Sequence, residues 1–187
     1  RRIQVLSESN RQLLFENFPR LRRDKVVVTP GAPRILPPSD APKIEIPSKA
    51  GRLAILSVGR IHPRKGHRFL LSCLKQLSAE EQKQICLWFA GRVVDRRYQK
   101  EVEIIANRSK IPIHFFGPVS DSDLQKLYNT SDIFAMTSRQ TGTSIEGFGL
   151  VYLEASQAGL PIIANRTGGV SEAVIDGTTG LLANPGD

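Results

Sequence analysis

Five short apolar runs alternate with amphipathic stretches along most of the chain. The runs are LAILSV (53–58), ICLWFAG (85–91), IHFFG (113–117), DIFAMTS (132–138) and LPIIAN (160–165). Between them lie HRFLLSCLKQL, DRRYQKEVEIIANRSK, DSDLQKLYNTS and GLVYLEASQAG. The runs have strand length and the intervening stretches carry helical periodicity, so the chain predicts an α/β fold. It is a Rossmann-like, mostly parallel sheet with helices on both faces. Such sheets bind ligands at the carboxyl ends of their strands. Residues 1–29 add a strand–helix–strand unit in IQVLS, NRQLLFENF and KVVVTPG, and the proline-rich stretch 30–51 reads as a hinge or linker.

Composition narrows the chemistry. The 187 residues are 40% hydrophobic and carry a net charge of +8, placed unevenly: +5 over residues 1–50, +8 over 51–110 and −5 over 111–187. That asymmetry points to a polyanionic ligand or an anionic membrane surface. Nucleic acid is disfavoured, because aromatics do not interleave with the basic residues. Cys73 and Cys86 each sit in an apolar run and read as buried reduced thiols, which predicts a reducing, cytoplasmic setting. No run reaches the roughly 20 apolar residues of a membrane span. The start RRIQVLSESN has neither an initiator Met nor a signal peptide's apolar core, so a piece of a longer protein is expected.

The loops after the strands carry the candidate site. GRIHPRKGH follows the first run and holds Arg60, Arg64 and Lys65; Arg60 and Lys65, five apart, can serve one anion. The spacing is not that of a Walker loop. His62 and His67 read as loop or packing residues, and His114 as a core histidine. After IHFFG, the turn Gly117-Pro118-Val119 precedes a helix with Asp121 as expected N-cap. EGFGLVYLE (146–154) places Gly147 and Gly149 at a helix start, where unpaired N–H groups and the dipole favour an anion. The third glycine of a dinucleotide fingerprint would fall at Tyr152, which disfavours a nicotinamide cofactor. Glu146 and Glu154 would repel a phosphate but suit sugar hydroxyls. A phosphate at the helix start, with hydroxyl-bearing groups on either side, describes a sugar nucleotide.

GRIHPRKG followed by EGFGLVYLEASQAGLPIIANRTGGVSEAVIDGTTGLL resembles the family 4 retaining glycosyltransferases, of GT-B fold. The E-x7-E spacing, the A-G-L-P turn, the GG-x-x-E tail and the upstream VLSESNR…KVVVTPG match in order. The resemblance spans essentially the whole chain. It implies one half of a two-domain GT-B enzyme: residues 1–29 end the amino-terminal domain, 30–51 link, and 52–187 bind a nucleotide diphosphate sugar. It assigns Arg60 and Lys65 to the diphosphate and Glu146 to the transferred sugar. Backbone amides of Gly147, Phe148, Gly149, Leu150 and Val151 would bind sugar and phosphate, Glu154 the ribose, and the turn at Val119 the base.

Two departures stand out: the loop Arg139–Ile145 exceeds the minimal family pattern, so that Arg139 or Thr143 can alter the pocket, and Arg64 adds a third cation. The implied reaction transfers a hexose from a UDP- or GDP-sugar to an acceptor hydroxyl with retention. No metal or other cofactor is expected, since no cluster of acids suited to hold one stands out. The acceptor (glycan, lipid or small molecule) would be met through the other domain, and the basic surface is compatible with peripheral contact with an anionic membrane. A nucleotide-sugar-binding module without catalysis, an epimerase or phosphorylase on the same fold, and a basic docking module are the alternatives. The isolated chain is expected to be inactive.

Overall fold

The computed structural model describes residues 1–34, 43–142 and 144–185. Two parallel sheets form. The small one pairs β1 (Ile3–Val5) with β2 (Val26–Val28), joined through α1 (Glu8–Asn17). The large one contains β3 (Leu53–Val58), β4 (Ile85–Ala90), β5 (Ile113–Gly117), β6 (Ile133–Met136), β7 (Ile162–Asn165) and β8 (Gly180–Ala183), in the order β5-β4-β3-β6-β7-β8. Every pairing in it is parallel. The strand order reverses direction next to β3, between β4 and β6, which opens the crevice where doubly wound sheets take ligands.

Helices cover both faces. On one face α2 (His67–Leu74) and α4 (Arg96–Asn107) bury Leu70, Leu71, Tyr98, Val102 and Ala106 against Ile55, Leu87 and Phe89. Tyr98, Val102 and Ala106 recur every four residues, the stripe by which an amphipathic helix meets a sheet. On the other face α5 (Asp121–Thr130) and α6 (Leu150–Gln157), with the short α7 (Val170–Ala173), pack Leu124, Leu127, Tyr128, Tyr152, Ala155 and Val170 over Trp88 and Phe134. Each large apolar side chain fully buried here contributes about 1.5–3 kcal/mol. The short α3 (Ala79–Lys83) was not anticipated, although Ser78 and Glu81 form a complete capping box before it. α7 and β8 also went unpredicted.

Caps explain most helix starts. Ser7, Asp95 and Ser120 each accept a hydrogen bond from the amide three residues on. The cap of α5 is therefore Ser120, not Asp121, which is the first helical residue. α2 and α6 differ: each follows a left-handed glycine, Gly66 or Gly149, and neither has a side-chain cap.

The expected core position of His114 is also corrected. It lies exposed on β5, an edge strand, with its ring centroid 4.4 Å from that of Phe116. Cys86 is buried and Cys73 half-buried, both as free thiols. Of the proline-rich stretch, residues 35–42 lie outside the described residues, while its end is tied to the large sheet's body. Asp123 Oδ1 accepts the amides of Lys43 (2.7 Å) and Ile44 (2.9 Å), and Lys49 Nζ donates to both carboxylate oxygens of Asp132.

His67 is the packing residue anticipated, 2% exposed between the rings of Phe89 (5.1 Å) and Tyr98 (6.1 Å). Its Nδ1 has no partner among the described residues. Burial, aided by the charge of Lys65, pushes its pKa down to about 4. Because the folded value lies below the unfolded one, the neutral ring favours folding fully above about pH 6.5. That contribution falls away as the pH drops toward 4, since only the unfolded chain takes up the proton. The expected loss between pH 6.5 and 4 is about 3 kcal/mol, by denaturant titration at each pH. His67→Leu should flatten that limb; a wild-type curve with no such limb would refute the assignment.

Candidate functional site

The loops at the carboxyl ends of β3, β6 and β7 converge. Thr137 Oγ1, just past β6, donates to the carbonyl of Gly66 (2.8 Å), and the amide of Arg139 donates to the carbonyl of Arg64 (2.8 Å). From the β7 side, the amide of Gly169 donates to the carbonyl of Glu146 (2.9 Å). A Cβ on Gly168 or Gly169 would stand 2.3 Å from Glu146 O or 2.2 Å from Gly147 O, so only glycine allows this clasp. The helix α1 closes the side. Glu172 accepts the amides of Glu8 (2.8 Å) and Ser9 (3.1 Å), Ser9 Oγ donates to Gly168 O (2.9 Å), and Ser7 Oγ donates to Gly147 O. Asn10 presents its side-chain amide to Gly147, with Nδ2 3.0 Å from where a Cβ there would be.

At the centre is Glu146, buried, and all its donors meet one oxygen. Oε2 accepts from Lys65 Nζ (2.7 Å), Arg64 Nη1 (2.9 Å) and Ser138 Oγ (3.1 Å). No donor among the described residues reaches Oε1. The carboxylate is thus anchored by one oxygen, and its other oxygen has no donor among the described residues.

Charge is out of balance in favour of cations. Burial opposes ionisation of Glu146, but Lys65, Arg64 and Ser138 together hold its carboxyl below the ordinary range. Burial lowers Lys65 too; Glu146 offsets part of this, and the charges of Arg64 and Arg60 add to it. Arg60 itself is exposed and makes no ion pair among the described residues. The cluster therefore favours a further anion.

An anion has donors waiting. The amides of Phe148, Gly149, Leu150 and Val151 lie at the uncapped start of α6, where intrahelical partners are absent. Gly149 takes φ +84°, and a Cβ there would meet the Tyr152 ring at 2.4 Å. Phe148 and Gly149 are buried, Gly147, Leu150 and Val151 half-buried.

Glu154 lies further along α6, 6% exposed, accepting from Tyr128 Oη (3.0 Å) and Arg34 Nε (3.4 Å). Arg34 also pairs with Asp121 (3.0 Å), and burial with the adjacent Glu154 charge pushes the Tyr128 phenol up. Arg34, Tyr128, Glu154 and Gln157 line a cavity of about 210 Å³. Val119 is half-buried against the core on the α5 side.

The predicted residues thus fall into two groups. Lys65, Glu146 and the 147–151 loop come together, with Arg60 near enough to act on Lys65. Glu154 belongs to a second cluster with Arg34. Lys65 and Glu146, read from sequence as serving different groups of one ligand, are bonded to each other here. Arg139 points away, its guanidinium 5.2 Å from the Phe69 ring centroid, and Thr143 lies outside the described residues. Sequence reasoning missed the partners Ser138, Arg34, Tyr128 and Asn10, which carry no motif of their own. The GG-x-x-E tail did signal Gly168, Gly169 and Glu172.

A family model described as "Glycosyl transferases group 1" matches residues 40–187. A GDP-mannose-dependent alpha-(1-6)-phosphatidylinositol monomannoside mannosyltransferase of Mycolicibacterium smegmatis is 31% identical over 140 residues, covering 73% of this chain and 36% of the relative. Mannosylfructose-phosphate synthase of Agrobacterium fabrum is 28% identical over 185 residues, covering 94% and 40%. Among solved structures, Anabaena Alr3699/HepE in complex with UDP and glucose aligns with a TM-score of 0.79 at 24% identity, over 100% of this chain and 50% of that one. A glycosyltransferase from Rickettsia africae gives a TM-score of 0.80, also at 24% identity, over 100% and 50%. The chain therefore spans well under half the length of these curated relatives and about half that of these structures, and its sheet is the Rossmann-like half of a GT-B fold.

Proposed function

The chain belongs to the glycosyl transferases group 1 family, and we propose that it binds the donor for a hexosyltransferase that uses a UDP- or GDP-sugar. The observation that carries this reading is Glu146: Oε2 is fixed by three donors, while no donor among the described residues meets Oε1, beside a cationic cluster and an uncapped helix start. That pairing suits a sugar hydroxyl next to a diphosphate. Relatives named for GDP-mannose and neighbours solved with UDP support both bases as candidates. Arg60, Lys65 and the amides of Gly147 to Val151 take the diphosphate, Glu154 the ribose, and the Val119 turn the base.

In the whole enzyme the sugar C1–O bond breaks and its electron pair leaves with the diphosphate, while an acceptor hydroxyl adds to C1 from the same face and gives its proton to the departing phosphate oxygen. Charge then builds on the leaving phosphate, where Arg60, Lys65 and the α6 amides stabilise it without a divalent metal. A cytoplasmic setting, with peripheral contact to an anionic membrane, completes the proposal.

A thermal-shift panel of UDP-, GDP- and ADP-sugars in EDTA tests it. At least one should raise the Tm, and Arg60→Ala, Lys65→Ala and Glu154→Ala should each reduce that shift. A folded sample that responds to none sinks the reading.

A further inference from the structure

Lys65 Nζ spends one of its three donors on Glu146, and a diphosphate that engages the others competes with that carboxylate for its charge. Its Nζ lies 2.7 Å from Glu146 Oε2. If it turns to a phosphate, a carboxylate that is 7% exposed loses its nearest cation. Such a group left unpaired is costly and would move or take up a proton. Something must keep it charged and in place.

Arg64 is built for that task. Its Nη1 donates at once to Glu146 Oε2 (2.9 Å) and to the carbonyl of Ile145 (3.1 Å). It therefore grips both the side chain of Glu146 and the peptide leading into it. Its side chain is only 11% exposed, whereas Arg60 on the same loop is exposed and unpaired among the described residues. The backbone on both sides is fixed as well, Arg64 O accepting from the amide of Arg139 and Arg64 N donating to His62 Nδ1 (3.2 Å). Ser138 is a third, neutral support.

We propose that Arg64 is a positioning residue: it retains Glu146 by Oε2 when Lys65 passes to the diphosphate of the ligand, so that Oε1 stays aimed at the sugar. Arg64 thus acts through Glu146 and governs the sugar part of the ligand, while Arg60 and Lys65 govern the phosphate part. The inference rests on the donor-binding reading above.

Two matched ligand pairs separate these roles by calorimetric titration of the 187-residue chain: UDP-glucose against UDP, and GDP-mannose against GDP. For whichever pair the wild type binds, Arg64→Gln should weaken the nucleotide sugar about 10-fold or more, the usual worth of a charge-assisted hydrogen bond. The bare nucleoside diphosphate should change by less than about 3-fold. Arg64→Lys keeps the charge, but its shorter side chain falls short of the Nη1 position that meets both Glu146 and Ile145 O, and it should show the same selective loss to a smaller extent. Loss of both ligands alike, or of neither, in either variant overturns the role of Arg64 and leaves donor binding standing. A folded wild type that binds neither pair overturns donor binding itself, and this inference with it.

Discussion

Glu146→Gln is expected to destabilise the chain by about 3 kcal/mol while making it respond more strongly to a bare nucleoside diphosphate. Lys65 and Arg64, with side chains 10% and 11% exposed, share this one carboxylate. A neutral amide of the same shape keeps an acceptor near both but removes the compensating charge. Breaking a buried pair by removing one partner commonly costs about 3–5 kcal/mol, and Gln's remaining hydrogen bonds put this case at the lower end. A diphosphate supplies the missing negative charge and no longer competes with Glu146 for Lys65. The Tm rise caused by UDP or GDP should therefore be larger in the variant than in the wild type. The extra gain from an attached hexose should vanish, because an amide is a poorer acceptor for a sugar hydroxyl than a carboxylate. Chemical denaturation gives the first quantity and thermal shift the second. A variant that is as stable as wild type, or that loses its response to UDP and GDP, contradicts this account of the cluster.

The order of elements was legible because each strand is a local event. LAILSV and IHFFG form β3 and β5 over the predicted residues, and the other five predicted strands, β1 and β2 included, are only shortened at their ends. What escaped depends on neighbours that are distant in the chain. His114 looked buried because it interrupts an apolar run, yet β5 is the last strand on its side, and strand order is a property of the assembled sheet. β8 is four residues of GLLA after a polar turn, and it becomes a strand by pairing along β7.

The site shows the same division. The glycines and both glutamates stood out, because glycine spacing and misplaced charge are visible in one dimension. That Arg64 and Lys65 share Glu146, some 80 positions away, was not visible. Electrostatics links the two: buried cations and a buried acid must find each other. The ties of Asp123 to Lys43 and Ile44 fall in the same class, since a hinge and a docked strap have the same proline-rich composition.

Gly66→Ala should be among the most damaging single-methyl changes in the molecule, lowering stability by about 3–5 kcal/mol and abolishing nucleotide-sugar binding. Two separate penalties meet at this residue. Its φ of +75° lies in the left-handed region, which costs an L-residue about 1–2 kcal/mol. In addition, a Cβ would stand 1.9 Å from the carbonyl oxygen of Thr137 and 2.7 Å from its carbonyl carbon. That neighbour is backbone at the end of β6 and cannot rotate away, so the β3–α2 loop must lift off the sheet. Lifting it breaks the bond from Thr137 Oγ1 to Gly66 O and displaces Lys65, the preceding residue, from Glu146. Gly177 provides the control: its φ is +72°, and nothing lies within 4 Å of a Cβ there. Gly177→Ala should therefore cost only the conformational part, about 1–2 kcal/mol, and leave binding intact. The difference between the two alanines, read by denaturant unfolding, isolates the close approach of the two loops. Equal losses would mean that Gly66 is needed for its backbone angle alone, and that the contact with Thr137 does not hold Lys65 in place.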